Sequence, residues 1–139
     1  MARASVGRDA KPPRPVRIGC DLADADAVAE SITAFGERYL SRVYSATERA
    51  QTGEAPVRLA ARFAGKEAVL KVLRNSSDIR YDEIEIVLDA EGAPWVRLAP
   101  RAQQRANAEQ LGPIAISLSH ERGMALATAV AIPDYQPLH

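Results

Sequence analysis

Residues 62–73 read RFAGKEAVLKVL, Arg62 to Leu73, and the fold turns on how this charged, alanine-rich stretch is placed. After the break at Gly53–Pro56, apolar spacing predicts one long helix over Val57–Leu73. At about 100° per residue, Leu59, Phe63, Leu70 and Leu73 gather on one side, with Lys66 inside that stripe and Arg62 at its margin. A lysine so placed must run its stem out to water, pair with a carboxylate or meet an anion. Glu67 and Lys71, four apart, share a second face with Ala60, Ala64 and Ala68. Small residues leave room for either a packed backbone or a ligand. A carboxylate beside an ammonium in such a groove suits a metal-bound phosphate. The same pair also reads as an ordinary surface contact worth ~0.3 kcal/mol.

Outward from this helix, the period changes on both sides. Val16, Ile18 and Cys20 alternate into Asp21, a short strand whose end would deliver a carboxylate. Asp24 or Asp26 can cap a helix through Phe35. Phe35 to Val43 is helical again, and Ser45–Glu48 fits a capping box. Downstream, Ile84–Leu88, the turn DAEGAP and Trp95–Leu98 form a hairpin. Pro100–Leu111 is a helix closed by Gly112 and Pro113. Ile114–Leu118 and Met124–Ile132 are strands joined by SHERG. This order predicts an α+β domain with a mainly antiparallel sheet packed on a long central helix. Residues 1–15 read as a mobile, basic, proline-rich tail, 16–132 as one domain, and 133–139 as a C-terminal tail.

The 139 residues suit one domain, and 18 basic residues cancel 18 acidic ones. A balanced charge gives no footprint for unspecific nucleic-acid binding or for an anionic membrane. Cys20 is alone, no apolar run is long enough to span a bilayer, and nothing resembles a leader; a soluble, cytoplasmic protein is expected.

Two further places attract chemistry. Asp21 can point a second carboxylate into a cleft, or merely cap the next helix. Ser119-His120 lies in a turn between two strands, where it can bind a ligand or only its own loop. As a hydrolase pair the two have little support: neighbouring residues seldom present both side chains to one substrate, and no nucleophile elbow is present.

In order, these residues resemble the holo-acyl-carrier-protein synthase family, the short type of 4′-phosphopantetheinyl transferase. The similarity lies in Gly19-Cys20-Asp21; in Phe35-Gly36-Glu37-Arg38 and Arg42-Val43-Tyr44-Ser45-Ala46-Thr47-Glu48; in Arg62 through Lys71; in the turn Gly92-Ala93-Pro94; and in Ser117-Leu118-Ser119-His120. It spans roughly residues 16 to 132. The resemblance implies a 4′-phosphopantetheinyl transferase-like fold and transfer of the phosphopantetheine arm of coenzyme A to a serine of an acyl carrier protein, releasing adenosine 3′,5′-bisphosphate. It implies Mg²⁺ on Asp21 and Glu67, with Lys71 joining them in catalysis. Arg62, Lys66, Lys71, Gly92, Pro94, Ser119 and His120 would contact coenzyme A, although Arg62 and Lys66 serve equally as structural ion-pair members. The general base stays open between Glu67 and a water. A homotrimer with sites between subunits is also implied.

Three departures matter. Arg74-Asn75-Ser76-Ser77 replaces the family's usual Gly-Thr-Gly turn, and Ala93 replaces the lysine of its hairpin. The helix after Asp21, usually basic, carries Asp24, Asp26 and Glu30. An acidic carrier would therefore dock through Arg38, Arg42, Arg49 and the basic tail, or the partner is a specialised carrier, as in polyketide or other secondary metabolism, rather than the one of fatty acid biosynthesis. The competing reading is a non-catalytic module that keeps the fold and binds coenzyme A or a carrier.

Overall fold

Ile18, Cys20 and Leu22 alternate with Gly19, Asp21 and Ala23 and build β1 (Arg17–Asp24). In the computed structural model, which describes residues 15–74 and 76–133, β1 runs three residues past Asp21. Asp21 therefore stands within the strand and not at its end, as the sequence suggested. Asp24 is the cap of α1 (Ala25–Phe35), its carboxylate accepting the Asp26 N–H at 2.9 Å. Gly36, at φ 53°, turns the chain into α2 (Glu37–Val43), and the Ser45–Glu48 capping box opens α3 (Ala46–Thr52). α4 (Pro56–Leu73) is the longest element. A 3₁₀ turn at Tyr81–Glu83 leads into the hairpin β2 (Ile84–Leu88) and β3 (Pro94–Leu98), followed by α5 (Pro100–Ala108), β4 (Ala115–Glu121) and β5 (Met124–Ala131). α5 stops short of the expected Leu111, where Gln110 takes a positive φ of 56°.

The strands pair antiparallel throughout, but in two sheets: a three-stranded one of order β1-β5-β4 and the separate β2–β3 hairpin. The α+β class and the long central helix are as expected. Nearly all of both expected tails lies outside the described residues.

α4 lies across β1 and β5, and the contact is made of small residues. Ala60, Ala64 and Ala68 of the helix are fully buried, as are Ala125, Ala127 and Ala129 of β5. The room left by the helix alanines is thus filled by the sheet, the first of the two alternatives the sequence left open. A Cβ on Gly19 would sit 2.0 Å from the Ala68 carbonyl oxygen, so strand and helix approach more closely than any side chain permits. That approach brings Asp21 beside Lys71.

Past α4, Arg74 takes φ 54° and ψ 158°, a region that costs a residue with a Cβ about 1–3 kcal/mol. The conformation that a glycine would adopt freely is kept without one. The Ser76 hydroxyl then donates to the Leu70 carbonyl at 3.1 Å, closing the end of the helix.

Candidate active site

The charges of α4 separate into two sets. Lys66 is fully buried, and its ammonium donates to Glu48 Oε1 at 2.7 Å, to the Tyr81 carbonyl at 3.0 Å and to the Ile84 carbonyl. Glu48, equally buried, also accepts the Ser45 N–H on Oε1 and the Ile86 N–H on Oε2, both at 2.9 Å. Burial presses the Lys66 amine toward its neutral form, and the Glu48 carboxylate opposes this. With all three protons donated to protein oxygens, Lys66 has none for a phosphate. Its expected role as a coenzyme A contact is corrected: it joins α3, α4, β2 and the 3₁₀ turn.

The second set faces outward. Lys71 donates to the Cys20 carbonyl at 2.7 Å and to Asp21 Oδ1 at 3.2 Å, and its side chain is 53% exposed. One turn back, Glu67 accepts the Tyr81 hydroxyl on Oε1 at 2.6 Å. The Glu67 hydrogen bond, burial and the charges of Glu67 and Asp21 push the Tyr81 phenol up to about 12, so it stays a donor. Glu67 and Lys71 are one turn apart on α4, so the Lys71–Asp21 and Glu67–Tyr81 pairs lie side by side as one cluster. Tyr81 escaped the sequence reading. It stands just outside the alternating run that opens at Ile84, and no local period marks it.

Ser119 and His120 do not fall in the turn. β4 continues through both, and the turn is at Arg122-Gly123. Ser119 pairs with Leu126 and His120 with Ala125, so the side chains stand on opposite faces of the sheet. Within one chain they therefore present their side chains to different sides of the sheet, and not together from a turn as the sequence suggested. His120 shares the α4-facing side with Asp21, but β4 lies beyond β5, roughly 10 Å across from β1. Gly92 and Pro94 are at the exposed tip of the other sheet, and no hydrogen bond or ion pair among the described residues ties them to the cluster. Arg62 is 5% exposed, its buried Nε has no acceptor among the described residues, and burial lowers its pKa.

At the rim, an open groove of about 270 Å³ runs between β1 and α1, with Leu22, Val28, Tyr39 and Phe63 among its walls. The Phe63 ring stacks on Tyr81 with centroids 5.3 Å apart. An adjoining hollow of about 260 Å³ is lined by Phe35, Arg38, Tyr39 and Arg42. Arg49 is engaged instead by Glu37 at 2.6 Å and Glu54 at 2.8 Å.

Residues 17–129 match the 4′-phosphopantetheinyl transferase superfamily. The chain belongs to that superfamily, and within it to the holo-[acyl-carrier-protein] synthase enzymes. It is 39% identical over 132 residues to the holo-[acyl-carrier-protein] synthase of Chloroflexus aggregans, an alignment covering 84% of this chain and 94% of the relative. It is 37% identical over 113 residues to that of Dehalococcoides mccartyi, covering 81% and 95%. Among solved structures it is similar to the Helicobacter pylori enzyme in complex with coenzyme A, with TM-score 0.74, 25% identity and coverage of 82% and 98%. It is also similar to the Neisseria meningitidis enzyme, with TM-score 0.75, 27% identity and coverage of 83% and 96%.

Proposed function

We propose that this chain transfers the 4′-phosphopantetheine arm of coenzyme A to a serine of an apo acyl carrier protein, with Mg²⁺ held by Asp21 and Glu67. The observation that carries the reading is that Lys71 holds Asp21 while Glu67, one turn back on α4, accepts from Tyr81. Each carboxylate has one oxygen engaged by a protein donor, Asp21 by Lys71 and Glu67 by Tyr81, and offers the other. Among the described residues no group of three or more His, Cys, Asp or Glu converges. Two hard oxygen donors fit an ion that takes its remaining ligands from water and a diphosphate. Bound there, Mg²⁺ would neutralise charge on the diphosphate.

The serine oxygen bonds to the phosphorus bearing the arm, the phosphoanhydride P–O bond breaks, and adenosine 3′,5′-bisphosphate leaves with the electron pair. Glu67 or a water takes the hydroxyl proton. Two Lys71 protons go to Cys20 and Asp21, leaving the third for a phosphoryl oxygen.

His120 and the Gly92–Pro94 tip would serve the nucleotide from a neighbouring subunit. This goes with a homotrimer whose interface covers the outer sheet face, where Ile18, Leu22, Met124 and Leu126 are exposed and Leu22 pairs with Leu126. Sedimentation equilibrium at micromolar concentration should give the mass of three chains; a single-chain mass contradicts this assembly.

The carrier would dock on Phe35, Arg38 and Arg42, since Arg49 is already paired and α1 presents Asp26 and Glu30. The α1 charges favour a specialised carrier. The test incubates the protein with coenzyme A, Mg²⁺ and apo carriers of graded acidity, and reads the added arm by intact mass spectrometry. A carrier should gain the arm, and Arg38→Glu with Arg42→Glu should raise its KM roughly 10-fold without moving that of coenzyme A. Binding of coenzyme A with no carrier modified would favour the non-catalytic module instead.

A further inference from the structure

Lys66 and Glu67 are consecutive on α4 and so point about 100° apart, one into the core and one toward the cluster. Both reach the same residue. The Lys66 ammonium holds the Tyr81 carbonyl at 3.0 Å, while the Tyr81 hydroxyl donates to Glu67 Oε1 at 2.6 Å. Phe63, four residues before Glu67 and therefore on the same side of the helix, stacks on the Tyr81 ring at 5.3 Å and 47°. The 3₁₀ turn that carries Tyr81 is itself closed, with the Arg80 N–H donating to Glu83 Oε2 at 2.7 Å and the Glu83 N–H to the Arg80 carbonyl at 3.1 Å. Tyr81 is thus fixed at its main chain, ring and hydroxyl.

We infer that Tyr81 is a positioning residue: its hydroxyl fixes the rotation of the Glu67 carboxylate so that Oε2 faces the divalent ion, and thereby sets the ion affinity of the site. The inference rests on the metal role proposed for Asp21 and Glu67. A carboxylate free to rotate must be ordered when the ion binds; one already held by a donor has less to lose. Lys71 does the same for Asp21, so the two acids are braced by two different donors.

Tyr81→Phe removes only the hydroxyl and leaves the ring on Phe63 and the carbonyl on Lys66. Binding of Mn²⁺ in the presence of coenzyme A is counted by the electron paramagnetic resonance signal of the free ion, and KM for Mg²⁺ and kcat are measured in parallel. The expected result is about a 10-fold rise in the Mn²⁺ dissociation constant, matched by KM for Mg²⁺, with the loss in KM and not in kcat. If the parent protein binds Mn²⁺ and Tyr81→Phe binds it equally well, the positioning role is overturned and the metal reading stands. A fall in thermal midpoint with unchanged ion affinity also overturns it. If the parent protein binds no Mn²⁺, both fall.

Discussion

Glu67→Gln is expected to lower kcat/KM for arm transfer by about 10²–10³-fold while leaving the thermal midpoint nearly unchanged. The glutamine keeps the volume of the side chain, and its amide oxygen can still accept from the Tyr81 hydroxyl now 2.6 Å from Oε1. What it loses is the negative charge of the second oxygen, and a neutral amide is a poor ligand for a small hard cation. Coenzyme A binding, read by calorimetry without metal, should persist. Transfer at the parental rate in the purified variant contradicts the role given to Glu67.

Glu48→Ala should act in the opposite manner, on stability. It strips the buried Lys66 ammonium of its anionic partner and leaves the Ile86 N–H without an acceptor. Breaking a buried ion pair from one side costs about 3–5 kcal/mol. Against a domain stability of about 5–15 kcal/mol, that is a large share. Urea unfolding should show the midpoint fall with the slope unchanged. Replacing both partners, Glu48→Leu with Lys66→Met, should recover part of the loss, because no charge is then stranded although the Ser45 and Ile86 N–H groups and the Tyr81 and Ile84 carbonyls lose their partners. A single variant as stable as the parent would mean that the pair is not buried as the structure has it.

These two carboxylates also mark how far the sequence could be read. The capping box at Ser45–Glu48 was legible because it is local, three residues apart. Its second duty was not: the contact of Glu48 with Lys66 joins positions 18 apart on different helices. The helix wheel correctly placed Lys66 in the apolar stripe and posed its options, but only packing chose between an ion pair and a ligand. The alanine face of α4 was undecided for the same reason, since small side chains admit a sheet as readily as a substrate. The opposite facing of Ser119 and His120 follows from a strand period of two. It was hidden because β4 runs further than its apolar residues do. Glu67 and Lys71 were legible from their spacing of four and Asp21 from its strand, but only the family resemblance joined Asp21 to them, as Asp21 and Lys71 meet across 50 residues. Tyr81 gave no local sign.

Asp21 and Glu67 are proposed to place a divalent ion on the diphosphate of coenzyme A together. Phosphorus-31 relaxation of coenzyme A, measured with the protein and substoichiometric Mn²⁺, tests it directly. Strong paramagnetic relaxation of the two diphosphate phosphorus atoms is expected with the parent protein, and its loss in the double variant Asp21→Asn with Glu67→Gln. Equal relaxation in the double variant, or none with the parent protein while coenzyme A is bound, would contradict it.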